Sequence, residues 1–92
     1  MWKIVLHRLV LKEDFKGIDR SLIQLILKSI YKKLSMDPES YGSPLSGNYR
    51  GYWKLRVGDY RVVYKIVGNY EVWILGIRHR KEVYGKIEKR VG

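Results

Sequence analysis

Lysine and arginine residues alternate along two neighbouring segments in the middle of the chain, at the spacing that places side chains on one face of a β-sheet. The segments WKLRV and YRVVYKIV are separated by a Gly-Asp dipeptide, which is typical of a two-residue hairpin turn. Such a turn pairs Arg56 with Arg61 and Lys54 with Val63. One face of the hairpin is then predicted to carry Tyr52, Lys54, Arg56, Arg61, Val63 and Lys65.

A third β-rich segment, YEVWILGI, follows a Gly-Asn dipeptide and completes a predicted three-stranded antiparallel meander. A two-residue turn here pairs Val67 with Tyr70, which places Gly76 opposite Arg61 and Arg78 one pleat further along the same face. The opposite face, which we expect to pack on helices, is predicted to carry Trp53, Leu55, Val57, Tyr60, Val62, Tyr64, Trp73, Leu75 and Ile77.

The charges on the first face predict a binding site for an anion. Two arginines directly opposite each other destabilise a sheet, and Lys54 and Arg78 add positive charge beside Arg56 and Arg61. Gly76 removes side-chain bulk and lets a ligand approach the strand closely. We interpret the four cations over a glycine as a phosphate-binding concavity. The alternative is a solvated strand face whose charges keep the protein soluble.

The segment RHRKEVY lies where the last strand is predicted to meet the last helix. Its cations Arg78, Arg80 and Lys81 would lie at a helix N-terminus, which favours anions. His79 is a candidate general acid or base, because imidazole exchanges protons near neutral pH; a surface or packing role is the alternative. Tyr84 fits the site and the core equally well.

Hydrophobic periodicity predicts the elements that position these residues. Residues 2–7 form a first strand, and residues 8–16 a short helix that ends at Gly17. A longer helix runs from its cap, Asp19, to Pro38 and forms an antiparallel pair with the first.

The second half of the chain is predicted to form most of the sheet. A loop covers residues 36–48, and a final helix covers residues 81–91. The three strands span residues 52–57, 60–67 and 70–77. The chain is therefore predicted to be one α+β domain, residues 1–92, of order β-α-α-β-β-β-α, in which an N-terminal helical hairpin and a C-terminal helix pack on an antiparallel sheet.

The composition excludes several classes of protein. Lys and Arg total 19 against 9 acidic residues, so that 92 residues carry a net charge of +10, which favours a polyanion such as nucleic acid as partner. The absence of cysteine excludes disulfides and thiolate metal sites, and we expect neither a metal nor another cofactor. No apolar stretch has the length of a signal peptide core or a membrane span, so a cytoplasmic protein without a membrane partner is expected.

The stretch PLSGNYRGYWKLRVGDYRVVYKI, followed by VWILGIRHRKEVY, resembles the RelE/ParE superfamily of bacterial and archaeal toxins, over nearly the whole chain. The resemblance implies the same β-α-α-β-β-β-α fold. By position, Lys54 matches the catalytic lysine of the RelE-type members, Arg61 and Arg78 match their two catalytic arginines, and Tyr84 matches the tyrosine of the last helix. Tyr52 departs from the pattern, because RelE-type members often carry a second lysine there.

The RelE-type members are metal-independent endoribonucleases that cut mRNA in the ribosomal A site, and the resemblance implies this function. In that reaction the 2′-hydroxyl attacks the adjacent phosphate. Arg61 and Arg78 would stabilise the phosphorane, Lys54 would help to deprotonate the hydroxyl, Tyr84 would stack on a base or orient the phosphate, and His79 is an alternative acid. The expected RNA- and phosphate-binding residues are Arg56, Lys65, Arg80 and Lys81.

Two other functions remain open from the sequence. A ParE-type toxin would use the same fold to poison DNA gyrase without cutting RNA, and an inert basic domain would bind RNA without arresting growth. Either toxin implies an acidic, RelB-like antitoxin in a hetero-oligomeric complex, while the ribonuclease also implies mRNA and the ribosome (16S rRNA) as partners.

Overall fold

The structure, a computed structural model, describes residues 1–82 and 87–90. Its strands are β1 (Lys3–Leu6), β2 (Ser43–Pro44), β3 (Trp53–Val57), β4 (Tyr60–Val67) and β5 (Glu71–His79). They form one sheet in the order β1-β5-β4-β3-β2. β1 runs parallel to β5, and the other neighbours are antiparallel. The predicted α+β class is confirmed, but the sheet is mixed because the chain crosses over between β1 and the meander.

Helical segments follow β1 and cover one face of the sheet. A π-helix at Val10–Asp14 is followed by Gly17, whose φ of 77° gives the predicted helix stop. Helix α1 (Arg20–Ser29) begins after Asp19 and continues as a π-helix at Ile30–Leu34. The two predicted helices are therefore present, although the Asp19 side chain makes no capping hydrogen bond to the backbone.

The prediction that residues 36–48 form only a loop is wrong. A short helix, α2 (Pro38–Tyr41), starts at the proline, whose missing N–H and fixed φ suit a first helical position. Asp37 caps it by accepting hydrogen bonds from the backbone N–H of Ser40 at 3.2 Å and from its hydroxyl at 2.7 Å. These hydrogen bonds lower the pKa of the Asp37 carboxyl. The same segment also contributes the edge strand β2.

The register between β3 and β4 is confirmed: Arg56 pairs with Arg61, and Lys54 with Val63. The predicted register between β4 and β5 is wrong. The turn after β4 has three residues instead of two, because Val67 pairs with Glu71 and not with its predicted partner. This displaces the register by one residue.

A bulge then displaces the β4–β5 register by a second residue. The pairing shifts between Val63 and Tyr64, which leaves one additional residue in β5. As a result Gly76 lies opposite Val63, and Arg78 lies directly opposite Arg61.

The shifted register moves two side chains to the other face of the sheet. Trp73 and Leu75 were predicted on the helix-covered face, but both pack with Val63 and Ile87 on the opposite face. The main core lies between the helices and the sheet. It comprises Val10, Phe15, Ile26, Ile30, Leu34, Leu55, Val57, Val62, Tyr64, Val72, Ile74 and Ile77.

The predicted C-terminal helix over residues 81–91 is not found in the part of that range which the structure describes. Lys81 and Glu82 form a turn and a bend, and Glu88–Arg90 form a single 3₁₀ turn. Residues 83–86 and 91–92 lie outside the described residues. Within the described residues, no helix has the length and apolar character needed to cross a membrane.

Candidate anion-binding site

Three rows of side chains run across β3, β4 and β5 on the face that the N-terminal helices leave uncovered. We name them by their distance from the Gly58 turn. The turn row is Arg56, Arg61 and Arg78, the middle row is Lys54, Val63 and Gly76, and the distal row is Tyr52, Lys65 and Trp73. Successive rows are two residues apart along the chain, or roughly 7 Å, except in β5, where the bulge places Gly76 and Trp73 three residues apart.

A concavity of about 340 Å³ lies beside the turn row and is bordered by four cations, Lys54, Arg56, Arg61 and Arg80. Its remaining lining residues are Gly58, Asp59 and Tyr60. Among the described residues, no carboxylate forms an ion pair with Lys54 or Arg56. The concavity therefore offers cationic groups to an anion of the size of a phosphate.

Backbone groups hold three of these cations in position. The Nη2 of Arg61 donates to the carbonyl oxygen of Arg80 at 2.7 Å, and the Nε of Arg56 donates to the carbonyl oxygen of Gly58 at 3.4 Å. The Arg80 N–H donates to the carbonyl oxygen of Asp59 at 2.8 Å, while its guanidinium Nε lies 3.8 Å from the Asp59 carboxylate. The hairpin turn and the residue after β5 thus fix the rim of the concavity.

Arg78 does not line this concavity, although it lies opposite Arg61. Its side chain is only 10% exposed, and its Nη1 lies 3.0 Å from the Oδ1 of Asp14. The same Nη1 donates to the carbonyl oxygen of Ile77 at 3.0 Å. The cation predicted to converge on the phosphate is therefore neutralised at the edge of the sheet.

Asp14 is the centre of a buried cluster that the sequence did not predict. The carboxylate is 4% exposed and accepts hydrogen bonds from the Ile77 N–H at 2.9 Å and from both terminal nitrogens of Arg90, at 2.7 and 3.0 Å. Arg90 also donates to the carbonyl oxygen of Leu75 at 2.9 Å. No local pattern signals this cluster, because Asp14 and Arg90 are 76 positions apart.

The space over Gly76 is occupied by the chain itself. A Cβ at this position would collide with the Cδ1 of Ile87 and would lie 3.3 Å from the Nη1 atoms of Arg78 and Arg90. The predicted close approach at this glycine is therefore confirmed. The predicted occupant is wrong, because the C-terminal segment, and not a ligand, fills the space.

His79 lies on the other face of the sheet from Lys54. It pairs with Tyr60, and the two rings meet edge to face with centroids 5.3 Å apart. Its Nδ1 accepts a hydrogen bond from the Lys81 N–H at 3.2 Å, and its own N–H donates to the Oε1 of Glu82 at 2.8 Å. In the neutral imidazole the proton therefore resides on Nε2, and the ring is held away from the cationic concavity.

The remaining predicted site residues are spread more widely. Lys65 lies in the distal row, with its Nζ 5.9 Å from the ring centroid of Tyr52. Lys81 is exposed in the turn after β5 and does not line the concavity. The predicted site residue Tyr84 lies outside the described residues.

A larger cavity of about 730 Å³ lies on the other side of Arg78. Its lining includes three carboxylates and three cations, Glu13, Asp14, Glu82, Lys16, Arg78 and Arg90. We favour the smaller concavity as the anion site, because four cations and one carboxylate line it, whereas the charges of the larger cavity balance. Among residues 1–82 and 87–90, no group of three histidine or acidic side chains could hold a metal ion.

Comparison with solved structures defines the fold class as that of RelE-like toxins. The toxin–antitoxin complex RelBE2 of Mycobacterium tuberculosis contains a chain with a TM-score of 0.77 and 24% identity, over 86% of this chain and 98% of that one. The YoeB/ParE toxin of Agrobacterium tumefaciens has a TM-score of 0.65 and 20% identity, covering 84% and 97%. The RelB–RelE complex of Methanococcus jannaschii gives 0.62 and 22%, covering 88% and 95%.

Residues 4–84 match the family of ParE toxins of type II toxin–antitoxin systems, parDE. The chain belongs to this family, within the RelE/ParE superfamily, and is a toxin of a type II toxin–antitoxin system. No curated protein matches the sequence.

Proposed function

We propose that this toxin is a ribosome-dependent, metal-independent endoribonuclease that cleaves mRNA in the ribosomal A site and so inhibits translation in the cytoplasm. The observation that carries the proposal is the concavity bordered by Lys54, Arg56, Arg61 and Arg80. Several cations directed at one small space are the arrangement that stabilises a phosphate whose negative charge increases during reaction.

The chemistry follows from where the charge develops. Attack of the 2′-hydroxyl oxygen on the adjacent phosphorus forms a phosphorane as the hydroxyl proton passes to water. Breaking the bond to the 5′-oxygen, which takes up a proton from water, then leaves a 2′,3′-cyclic phosphate and a 5′-hydroxyl. Arg61 and Arg56 face the phosphorane oxygens, and the charge of Lys54 favours loss of the proton from the 2′-hydroxyl. Preorganised donors of this kind each contribute roughly 3–4 kcal/mol to lowering the barrier.

Arg78 enters the proposal as the cation that must exchange Asp14 for phosphate. Its Cα is the cross-strand neighbour of Arg61, and the proposal requires its side chain to turn from Asp14 towards the concavity. His79, on the other face, is a less suitable acid than its sequence position suggested. Ordering of mRNA by the ribosome would supply the alignment that these residues do not supply alone.

The proposed partners are the ribosome with its 16S rRNA, the mRNA, and an acidic antitoxin. The chain carries a net charge of +10, which attracts both ribosomal RNA and an acidic protein at long range. The solved RelB–RelE and YoeB–YefM structures are antitoxin–toxin complexes, which supports a hetero-oligomer of the same kind for this toxin.

The test is induction of the chain alone in a bacterial host, followed by mapping of mRNA 5′ ends on stalled ribosomes. We expect growth arrest with cuts in the A site, and loss of both in Lys54→Ala and Arg61→Ala. The matched control is Lys32→Ala, an exposed lysine on the helix behind the sheet, which should arrest growth as the unmodified chain does. Cuts that persist in Arg61→Ala would contradict the proposed site.

Poisoning of DNA gyrase is the second candidate function. Burial of Arg78 against Asp14 favours it, because a toxin that performs no RNA chemistry has no need of that guanidinium at the concavity. Growth arrest with intact mRNA and trapped gyrase–DNA complexes would establish this alternative. RNA binding without growth arrest would leave an inert basic domain.

A further inference from the structure

The distal row places an aromatic–cation–aromatic set next to the cationic concavity. Lys65 pairs with Trp73 across β4 and β5. Tyr52 directly precedes β3, and its ring lies beside Lys65. All three side chains are partly buried, so each is supported from below while part of it faces solvent. None of them has a role in the proposed chemistry.

Contacts within the row fix the position of these side chains. The Tyr52 ring packs against the small apolar cluster of Val63, Leu75 and Ile87, and the Lys65 Nζ lies 5.9 Å from its centroid. The Trp73 indole N–H donates to the Oε1 of Glu71 at 3.1 Å. Fixed aromatic rings lose little conformational freedom when they bind a ligand.

Spacing connects the row to the proposed phosphate site. Tyr52, the residue before β3, continues the alternation of Lys54 and Arg56, so its side chain emerges roughly 7 Å from Lys54 and about 13 Å from Arg56. Single-stranded nucleic acid is bound by cationic grooves that follow the backbone and by aromatic rings that stack on the bases. Here an aromatic ring and two cations follow one another on a single segment of the chain.

We propose that Tyr52, Lys65 and Trp73 form a nucleotide subsite of the toxin, in which a base of single-stranded RNA stacks on the aromatic row and Lys65 meets a neighbouring phosphate. The subsite deepens the proposed ribonuclease function and rests on it for the identity of the RNA. It assigns binding of a nucleotide beside the cleaved bond to residues that do not themselves take part in cleavage.

The test is binding of a fluorescent hexauridylate RNA to the purified chain, measured by anisotropy at low salt. Tyr52→Ala should weaken binding about 5- to 150-fold, the usual range for one stacked base, whereas Tyr52→Phe should retain the affinity. Lys65→Ala should reduce the slope of log affinity against log salt by about 0.7, the loss of one phosphate contact to a single strand. Tyr31→Ala, an exposed tyrosine on the helix behind the sheet, is the control and should bind as the unmodified chain does.

A set of hexauridylate RNAs, each lacking the base of one nucleotide, distinguishes loss of stacking from damage to the fold. Removing the base that stacks should weaken binding to the unmodified chain and have no effect on binding to Tyr52→Ala. Equal binding by Tyr52→Ala and the unmodified chain would overturn the subsite, as would a complete absence of RNA binding. If mRNA is not cut on ribosomes but the Tyr52 effects persist, the cleavage function fails and the subsite remains as an RNA-binding site.

Discussion

Replacement of Asp14 by alanine tests the importance of the buried cluster at the edge of the sheet. The change removes the acceptor of four hydrogen bonds and ion pairs, from Ile77, Arg78 and both terminal nitrogens of Arg90. The two arginine side chains are 10% and 7% exposed. Without Asp14, Arg78 would lie buried with no counter-charge among the described residues, and Arg90 would keep only the exposed Glu13 carboxylate at 4.0 Å. Breaking such a pair typically costs about 3–5 kcal/mol.

That loss is large compared with the total stability of a small domain, about 5–15 kcal/mol. We expect the midpoint of urea unfolding, followed by tryptophan fluorescence, to fall by roughly a fifth or more in Asp14→Ala. The matched control is Glu13→Ala, the next residue, because Glu13 is 58% exposed and its carboxylate lies 4.0 Å from Arg90. Surface pairs contribute about 0–1 kcal/mol.

If Asp14→Ala and Glu13→Ala unfold at the same urea concentration, the buried cluster does not stabilise the fold as its geometry requires. A further variant, Asp14→Leu combined with Arg78→Met and Arg90→Met, should recover most of the loss, because apolar side chains of similar volume often replace a buried ionic cluster without net cost.

Three further predictions concern single residues. Tyr64→Phe removes the buried hydroxyl that donates to the Pro38 carbonyl oxygen at 2.6 Å. It should lower the free energy of unfolding in urea by about 1–3 kcal/mol. Because burial raises the pKa of Tyr64, the unmodified chain should lose stability above about pH 10 more steeply than the variant. Burial lowers the pKa of His7, so the folded state favours the neutral ring and the unmodified chain should lose stability as the pH falls below about 6.5. His7→Gln should lose less stability over the same pH range. Gly76→Ala should displace Ile87 from the sheet and destabilise the fold by about 1–3 kcal/mol.

Each of these predictions has an outcome that contradicts it. Identical alkaline unfolding of Tyr64→Phe and the unmodified chain would show that the phenol is not the titrating group. If His7→Gln loses as much stability below pH 6.5 as the unmodified chain, the imidazole of His7 is not the titrating group. For Gly76→Ala, the measurement is amide exchange of the C-terminal residues, and unchanged protection would contradict displacement of Ile87.

Local sequence signals predicted the β3–β4 hairpin correctly because its register depends on one short turn. The Gly-Asp dipeptide determined the pairing of Arg56 with Arg61 and of Lys54 with Val63. The cationic concavity follows directly from that register, so the strand pattern alone is sufficient to group Lys54, Arg56 and Arg61 on one face.

The errors arose where pairing depends on more than one turn. A third turn residue and a bulge between Val63 and Tyr64 each moved the β4–β5 register by one position, and alternation gives no signal for either. The shift brought Arg78 opposite Arg61 and moved both Trp73 and Leu75 to the face away from the helices. Bulges are determined by tertiary packing, which a strand pattern does not contain.

Burial of Arg78 against Asp14 relieves the electrostatic repulsion within the turn row. Three arginines in one row across adjacent strands repel one another, and an external anion is only one way to relieve that repulsion. Asp14 relieves it from inside the protein at the β5 edge, and Arg90 shares the same carboxylate. Phosphate binding is therefore expected at the β3–β4 side of the row, where Arg56 and Lys54 have no such counter-charge among the described residues.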